Sequence, residues 1–483
     1  MMQPSRWRTV AVLFVVLAGI IPSAPAQVFS TLVNFSGLNG TTPFGSLTQG
    51  KNGAFYGTTV YGGAGFGGDY STGTLFAVDP TGDLYTLYSF CPKDDCSGGA
   101  EPYAGLLLAS NNLFYGTTSG GGAFEHGTVF AATPTGAVGV VHSFDGTDGE
   151  EPAASPVQGT NESLYGTSSG GNLHPGTIYE VTRLGSFNTL HRFCSKANCT
   201  DGSQPLAELI QATDGNFYGT TYFGGDFGVG TVFKISLNGF FTSLHSFHNT
   251  DGAGPLTGLV EGADGNLYGS TAQGGANNKG VIFKLDVRGR LKVLYSFCAD
   301  PGCADGAAPT STLMQGTDGN LYGVTGYGGT SNACSNGCGT IFSLTPSGEL
   351  TTLHNFDLLD GQSPRGTLLQ ATNGIFYGTT ASGGDLGCIP PTGCGTIFSL
   401  DVGPTPFVSF LRGYARIGKP AGILGQGFVG TTSVTFNGVP ASFTVNPDTY
   451  IRATVPPGAT TGYVTVTTPT GTLTSNKKFV VLP

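Results

Sequence analysis

The sequence predicts an all-β fold, a seven-bladed β-propeller whose N-terminal strand closes the last blade, followed by an immunoglobulin-like β-sandwich. Three observations support this prediction. Glycine supplies 81 of the 483 residues, against roughly 7% in average proteins, and this content disfavours helices. Hydrophobic residues make up 39% and aromatic residues 11% of the chain, which is enough for a core. A unit of about 53 residues recurs seven times, as expected for a repeat architecture.

The N-terminal residues 1–26 have the pattern of a bacterial-type Sec signal peptide. Arg6 and Arg8 precede an apolar stretch at 10–21, and Ala24-Pro25-Ala26 resembles a cleavage site. An uncleaved anchor is the alternative. We expect a secreted protein, extracellular or on the cell surface with the periplasm as the alternative, and no membrane span after cleavage.

The repeat occupies residues 27–402 and is marked by a Tyr-Gly dipeptide in every copy. Its tyrosines are Tyr56, Tyr115, Tyr165, Tyr218, Tyr268, Tyr322 and Tyr377. The copy at 255–297 contains four short strands, here called a (256–261), b (267–271), c (281–285) and d (291–297). Asp264-Gly265-Asn266 forms a tight turn between a and b. Four antiparallel strands joined in this way are typical of a propeller blade.

The two ends of the repeat region are complementary. Residues 32–35 resemble a d strand without a preceding a, b and c, whereas the last copy, 364–398, lacks a clear d strand. Pairing these segments would complete the seventh blade and remove free sheet edges. The alternative is that every blade begins with the Leu-x-x-Phe strand. The turns alone do not decide between these two ways of dividing the repeat into blades.

All ten cysteines lie in five close pairs after the signal segment. The pairs are Cys91/Cys96, Cys194/Cys199, Cys298/Cys303, Cys334/Cys338 and Cys388/Cys394. An even count after a secretory signal favours disulfides, and zinc is the alternative. Every pair falls in a d–a or b–c loop, so all five disulfides are expected on one face of the disc.

That loop-rich face is the candidate binding face, because loops on a rigid scaffold commonly carry function. Aromatic residues precede the Gly-Gly of three b–c loops and are candidate ligand-binding residues, with ordinary loop packing as the alternative. They are Tyr61, Phe223 and Tyr327.

The segment 255–297 resembles the Gloeo–Verruco (GloVer) tandem repeat of secreted bacterial proteins, and more distantly the blades of NHL-type propellers. The resemblance covers about residues 30–402 and implies a fold and an extracellular setting, without established catalytic residues. Residues 404–483 resemble an IPT/TIG domain, through Gly425, Gly427 and Phe428 in its first turn and Val434 to Gly438 in its central hairpin. Such domains act as spacers or interaction modules.

No catalytic or metal-binding pattern stands out, so no catalytic residue, metal or cofactor is predicted. Four strand-d histidines exchange with Tyr and Val at equivalent positions, which suggests packing or an outer surface. Strand a ends in Gln or Glu in six copies, which would either line the channel or bind neighbouring backbones.

We therefore expect a non-catalytic, monomeric protein for binding or adhesion, with an extracellular glycan or protein as its partner. A net charge of −10 without basic clusters argues against nucleic acid. The alternative is an extracellular propeller enzyme, a lyase or glycan hydrolase, whose site is assembled from several loops. Two carboxylates converging at the channel mouth would favour that alternative.

Overall fold

The computed structural model describes residues 27–64, 72–91, 96–171, 175–403 and 405–482. The predicted signal peptide, 1–26, lies outside the described residues. The chain is all-β and is built from repeated four-stranded antiparallel sheets, which is consistent with a propeller.

Each copy of the repeat forms one sheet in which strands a, b, c and d follow one another in space. The a strands are β2 (Thr48–Gln49), β6 (Leu107–Leu108), β10 (Val157–Gln158), β14 (Ile210–Gln211), β18 (Val260–Glu261), β23 (Met314–Gln315) and β28 (Leu369–Gln370). The b strands are β3 (Phe55–Thr59), β7 (Phe114–Thr118), β11 (Leu164–Ser168), β15 (Phe217–Thr221), β19 (Leu267–Thr271), β24 (Leu321–Tyr327) and β29 (Phe376–Ser382). Sheets are numbered 1 to 7 below in this order.

The c strands are β4 (Thr74–Val78), β8 (Thr128–Ala132), β12 (Thr177–Val181), β16 (Thr231–Ile235), β20 (Val281–Leu285), β25 (Thr340–Leu344) and β30 (Thr396–Asp401). The d strands that follow are β5 (Leu84–Ser89), β9 (Val138–Ser143), β13 (Phe187–Arg192), β17 (Phe241–Ser246), β21 (Leu291–Ser296) and β26 (Leu350–Asn355). Two short strands, β22 (Ala307–Pro309) and β27 (Gln362–Pro364), extend the inner edges of sheets 6 and 7.

Sheet 7 takes its d strand from the N-terminus. Strand β1 (Val28–Asn34) pairs antiparallel with β30, with Val28 opposite Asp401 and Asn34 opposite Thr396. The predicted pairing of the N-terminal strand with the last repeat is confirmed. The alternative, in which every sheet begins with the Leu-x-x-Phe strand, is wrong. Both ends of the repeat region are therefore held in one sheet.

The core lies between neighbouring sheets. Tyr165 and Ile178 of sheet 3 pack with Phe217 and Phe233 of sheet 4. Equivalent clusters join each successive pair of sheets. A further cluster, which contains the fully buried Phe35, joins sheet 7 to sheet 1. Both faces of each sheet are thus buried, so nearly every residue of the b and c strands is buried, threonines included.

The Tyr-Gly dipeptide has a packing explanation. A Cβ atom on Gly269 of β19 would lie 2.6 Å from the ring of Phe283, the aromatic residue of the neighbouring strand c. The glycine makes room for this ring. The threonine of strand c also has a partner, since Thr231 Oγ1 lies 2.8 Å from Thr221 Oγ1 at the end of strand b.

The C-terminal segment forms two further four-stranded sheets around one core. The first contains β31 (Ser409–Phe410), β33 (Pro420–Leu424), β37 (Tyr450–Thr454) and β36 (Phe443–Val445). The second contains β35 (Val439–Pro440), β34 (Ser433–Phe436), β38 (Val464–Thr468) and β39 (Gly471–Thr474). Strands β32 (Tyr414–Arg416) and β40 (Val480–Leu482) form a parallel pair. Ile423, Val434, Ile451 and Val466, from both sheets, share the core.

Within the described ranges, no helix has the length and apolarity needed to cross a membrane.

Candidate functional site

The d–a and b–c loops lie at the same end of the sheets, here called the loop face. Ala253 of a d–a loop pairs with Gln273 of the b–c loop in sheet 5, and Ser203 pairs with Phe223 in the same way in sheet 4. The a–b and c–d turns lie at the opposite end, here called the turn face.

All five predicted disulfides are present on the loop face. They join Cys91 to Cys96, Cys194 to Cys199, Cys298 to Cys303, Cys334 to Cys338 and Cys388 to Cys394. Two of these loops contain a single 3₁₀ turn, at Ala197–Cys199 and Pro301–Cys303. Five disulfides indicate an extracellular or otherwise oxidising environment.

The strand-d histidines pair with an Asp of the following d–a loop. The Nε2-to-carboxylate distances are 2.7 Å for His142–Asp148, 3.2 Å for His191–Asp201, 2.9 Å for His245–Asp251 and 2.7 Å for His354–Asp360. Tyr295 takes the same role by donating to Asp305 at 2.8 Å. These partners explain why His and Tyr exchange at this position, and they give the histidines a structural role.

Asp201 shows how such a carboxylate orders a disulfide loop. It is fully buried and accepts hydrogen bonds from the Ser195 hydroxyl at 2.6 Å and the Lys196 N–H at 3.3 Å. Burial acts to raise the pKa of Asp201, but these hydrogen bonds outweigh it and hold the pKa below its ordinary value of 3.8. The carboxylate therefore stays ionised and keeps the loop closed.

One residue per repeat, directly before the landmark proline, has a left-handed backbone. The seven are Thr42, Glu101, Glu151, Gln204, Gly254, Ala308 and Ser363, with φ between 50° and 59°. Each donates its N–H to a carbonyl of the preceding sheet, as Glu101 does to Thr72 at 2.8 Å. Backbone bonds thus hold this ring of residues, and their side chains are free to differ.

The turn face carries the ring of polar residues that ends strand a. Gln211 Oε1 accepts the N–H of Thr160 in the preceding sheet at 3.0 Å, and Gln49 accepts that of Thr372 across the junction of sheets 7 and 1. Gln158, Glu261, Gln315 and Gln370 do the same. These side chains bind neighbouring backbones, as the structural alternative predicted.

The C-terminal segment lies over this turn face. Phe407 N–H donates to Thr372 O at 3.1 Å, and the Tyr414 hydroxyl donates to Gly159 O at 2.8 Å. The Thr449 hydroxyl donates to the carbonyl of Lys51, in the a–b turn of sheet 1. This turn adjoins sheet 2, whose strand a ends in Leu108 instead of Gln or Glu. Turns of sheets 1, 3 and 7 are therefore covered, and the contacts of the C-terminal segment with the repeats, among the described residues, are made at this end of the channel.

The channel has a volume of about 110 Å³ and is lined by all seven sheets. The lining residues nearer the loop face, here called the outer level, are Phe44, Tyr103, Ala153, Leu206, Leu256, Thr310 and Arg365. Two residues further along each repeat, its inner level contains Ser46, Gly105, Ser155, Glu208, Gly258, Thr312 and Thr367. Glu208 is the one charged residue of the inner level, and burial raises its pKa.

One sector of the channel wall is aromatic and lies within electrostatic reach of two glutamates. The Arg365 guanidinium lies 4.9 Å from the centre of the Phe44 ring, which stacks on Tyr103. The Tyr103 hydroxyl is 3.2 Å from that of Tyr61. Burial and the negative charge of Glu151 raise the pKa of Glu101. Burial, the hydrogen bond with Tyr61 and the charges of both glutamates raise the pKa of Tyr103.

The three aromatic residues predicted from the sequence are all exposed on the loop face. The exposed fractions are 40% for Tyr61, 47% for Phe223 and 42% for Tyr327. They belong to sheets 1, 4 and 6, and no described contact joins them. Only Tyr61 reaches the channel sector, through Tyr103.

Sequence analysis missed Glu101, Glu151, Tyr103, Glu208 and Arg365. Their shared signal is position, because each lies one residue before, or one or three residues after, the landmark proline. Aligning the repeats at that proline and comparing side chains would have found them. In the part of the chain that the structure describes, no three His, Cys, Asp or Glu residues converge as metal ligands would.

A family model described as the Gloeobacter/Verrucomicrobia repeat matches residues 102–334 and 257–439, more than two thirds of the chain. No curated protein sequence matches the chain. Among solved structures, the chain is similar to a fungal alcohol oxidase of the AA5 family in complex with copper, at 13% identity and a TM-score of 0.51 over 93% of this chain and 98% of that one.

A putative gluconolactonase is 12% identical over 79% of this chain and 94% of its own, with a TM-score of 0.39. A putative glucose dehydrogenase from a Thermus species is 16% identical over 78% of this chain and 100% of its own, with a TM-score of 0.37. At these identities the likeness to the alcohol oxidase concerns the fold alone.

Proposed function

The chain belongs to the Gloeobacter/Verrucomicrobia repeat family, and we propose that it is a secreted binding or adhesion protein that uses the loop face to hold an extracellular glycan or protein. The observation that carries this proposal is the difference in cover between the two ends of the channel. The C-terminal segment contacts the turn face, whereas exposed aromatic side chains occupy the loop face. In the described part of the chain the C-terminal segment contacts the turn face, and this supports the loop face as the entrance for a ligand.

In this proposal residues 27–402 form a seven-bladed propeller, and residues 404–483 form an immunoglobulin-like sandwich of the IPT/TIG type. Seven sheets with a shared core between the last and the first support the first part. Two four-stranded sheets around one core support the second. The sandwich acts as a cap on the turn face.

Secretion through a signal peptide at 1–26 also belongs to the proposal. The five disulfides support an oxidising destination. The chain is proposed to act as a monomer without a cofactor.

An array of glycans and extracellular proteins, probed with the chain from Gln27 onward, tests the binding role. We expect Tyr61→Ala, Phe223→Ala and Tyr327→Ala combined to abolish the binding of any hit. The control combines Tyr85→Ala and Phe240→Ala, two exposed aromatic residues of the turn-face end, and should bind normally. Equal binding by both variants, or no hit on the array, would contradict the proposal.

The second candidate is an extracellular enzyme, a lyase or glycan hydrolase, and one observation favours it. Glu101 and Glu151 come from adjacent repeats, interact electrostatically and both act on Tyr103, which lines the channel. A pair of carboxylates with one pKa raised is the arrangement that general acid–base catalysis on glycans uses. Mass spectrometry of glycans incubated with the protein tests it. Cleavage that Glu101→Gln abolishes would establish the enzyme, and intact glycans would leave the binding role.

A further inference from the structure

We propose that the channel mouth receives a lysine or arginine side chain presented by an extracellular protein partner. The inference rests on the proposed function, because it takes the loop face as the ligand entrance, and it names the partner's chemistry. Its three supports are the shape of the channel, the sign of its charges and an aromatic wall that already holds a guanidinium group.

The shape of the channel suits a slender side chain. A volume of about 110 Å³ holds one extended side chain but not a folded segment. The apolar parts of Leu206 and Leu256 line the wall opposite the aromatic sector. The methylene stem of a Lys or Arg can pack on these surfaces while its charged end continues inward.

The charges of the channel attract a cation. Glu101 and Glu151 act electrostatically on Tyr103, which lines the channel, and Glu208 is itself among the lining residues. Arg365 is the one basic residue among those that line the channel. The whole chain has a net charge of −10, which steers a basic partner toward this entrance.

The aromatic wall already makes one cation–π contact within the molecule. Arg365 already places its guanidinium 4.9 Å from the centre of the Phe44 ring. Tyr103 continues that wall toward the two glutamates and hydrogen-bonds Tyr61, so it offers a further aromatic surface beside the carboxylates. Cations bind such faces by cation–π attraction, strengthened by a nearby carboxylate.

Titration calorimetry with short peptides tests the proposal on the chain from Gln27 onward. The probes are Gly-Lys-Gly and Gly-Arg-Gly with blocked ends, and the comparison probes are Gly-Glu-Gly and Gly-(N-acetyl-Lys)-Gly. We expect only the two basic peptides to bind. Combined Glu101→Gln and Glu151→Gln should weaken their binding by about tenfold, as expected for the loss of a charge-assisted contact, and Glu208→Gln should weaken it separately.

Glu349→Gln is the matched control, because Glu349 is exposed in a c–d turn on the other face. Unchanged melting temperatures verify that the variants are folded. Equal binding of the acetylated peptide, preference for the acidic peptide, or full binding by the Glu variants would overturn the inference. Binding of glucosamine in place of the basic peptides would also overturn it, because the cation would then come from a sugar.

The array experiment distinguishes a failure of the proposed function from a failure of this inference. Array hits that depend on Tyr61, Phe223 and Tyr327, without any binding of basic peptides, would overturn this inference and leave the proposed function intact. Binding of basic peptides without any array hit would contradict the aromatic binding surface and support the channel site alone.

Discussion

The loop face and the turn face differ in where the contacts between sheets are made. On the turn face, Gln or Glu side chains of six repeats bind the backbone of the preceding sheet. On the loop face, the equivalent cross-sheet bonds are made by backbone N–H groups of seven left-handed residues. Side chains on the turn face are therefore committed to the scaffold, whereas those around the channel mouth are free to vary with function.

Closure of the ring supports both faces, and its loss should have the largest effect. Phe35 follows β1 and is fully buried between sheets 7 and 1. We expect Phe35→Ala to lower the free energy of unfolding by about 3–5 kcal/mol. Urea unfolding measures it, with Phe240→Ala, at a residue that is 78% exposed, as the control. Equal stability of the two variants would contradict closure by the N-terminal strand.

Acid should weaken the disulfide loop that Asp201 orders on the loop face. The pKa of Asp201 is held below its ordinary value of 3.8, so its ionised form contributes stability above that pH, and the contribution is lost as the pH falls through the lower folded value. We expect stability to decrease as the pH falls below about 4. At pH 7, Asp201→Asn should cost about 2 kcal/mol, because buried donors lose a charged acceptor.

Thermal unfolding across this pH range checks the prediction. Asp201→Asn should show a weaker acid dependence than the wild type. Asp83→Asn, at an exposed position of a c–d turn, serves as the control from the other face. A variant Asp201→Asn with the full acid dependence would contradict the assignment.

On the turn face, a single amide should contribute less. Gln211→Leu copies the residue that sheet 2 carries naturally at this position, Leu108, and it removes the acceptor of the Thr160 N–H. We expect a loss of about 1 kcal/mol, because Thr160 is only half-buried and water can replace the amide. Gln211→Glu retains an acceptor and should be neutral. Peptide binding at the channel should change in neither variant.

The smallest effect concerns an irregularity inside sheet 3. Tyr179 is fully buried, and among the described residues its hydroxyl has no hydrogen-bond partner, whereas other repeats carry Phe here. Tyr179→Phe should therefore raise the free energy of unfolding by about 1 kcal/mol. Tyr165→Phe is the contrasting variant, because its hydroxyl donates to Glu180 at 2.9 Å, and it should lower stability. A stabilised Tyr165→Phe would contradict this account.

Much of the fold could be predicted from local patterns. Turn residues such as Asp264-Gly265 located the strands, and cysteines only four to six positions apart located the disulfides. The incomplete first and last repeats predicted the pairing of β1 with β30. The candidate site was predicted only in part. The correct face was identified, but of the predicted aromatic residues Tyr61 alone reaches the channel sector.

The sequence by itself determined the repeat and the order of strands in each sheet, and it favoured the disulfide pairs and the closure by the N-terminal strand over their alternatives. These properties depend on residues that are close in the chain or on a pattern that recurs in every repeat, so they can be predicted without the tertiary structure. Only the tertiary structure decided that the C-terminal segment lies on the turn face, and that Tyr103 stacks on Phe44 within electrostatic reach of Glu101 and Glu151. The physical reason is curvature, because the arrangement of sheets around the channel brings together residues from different repeats whose individual surroundings give no sign of it.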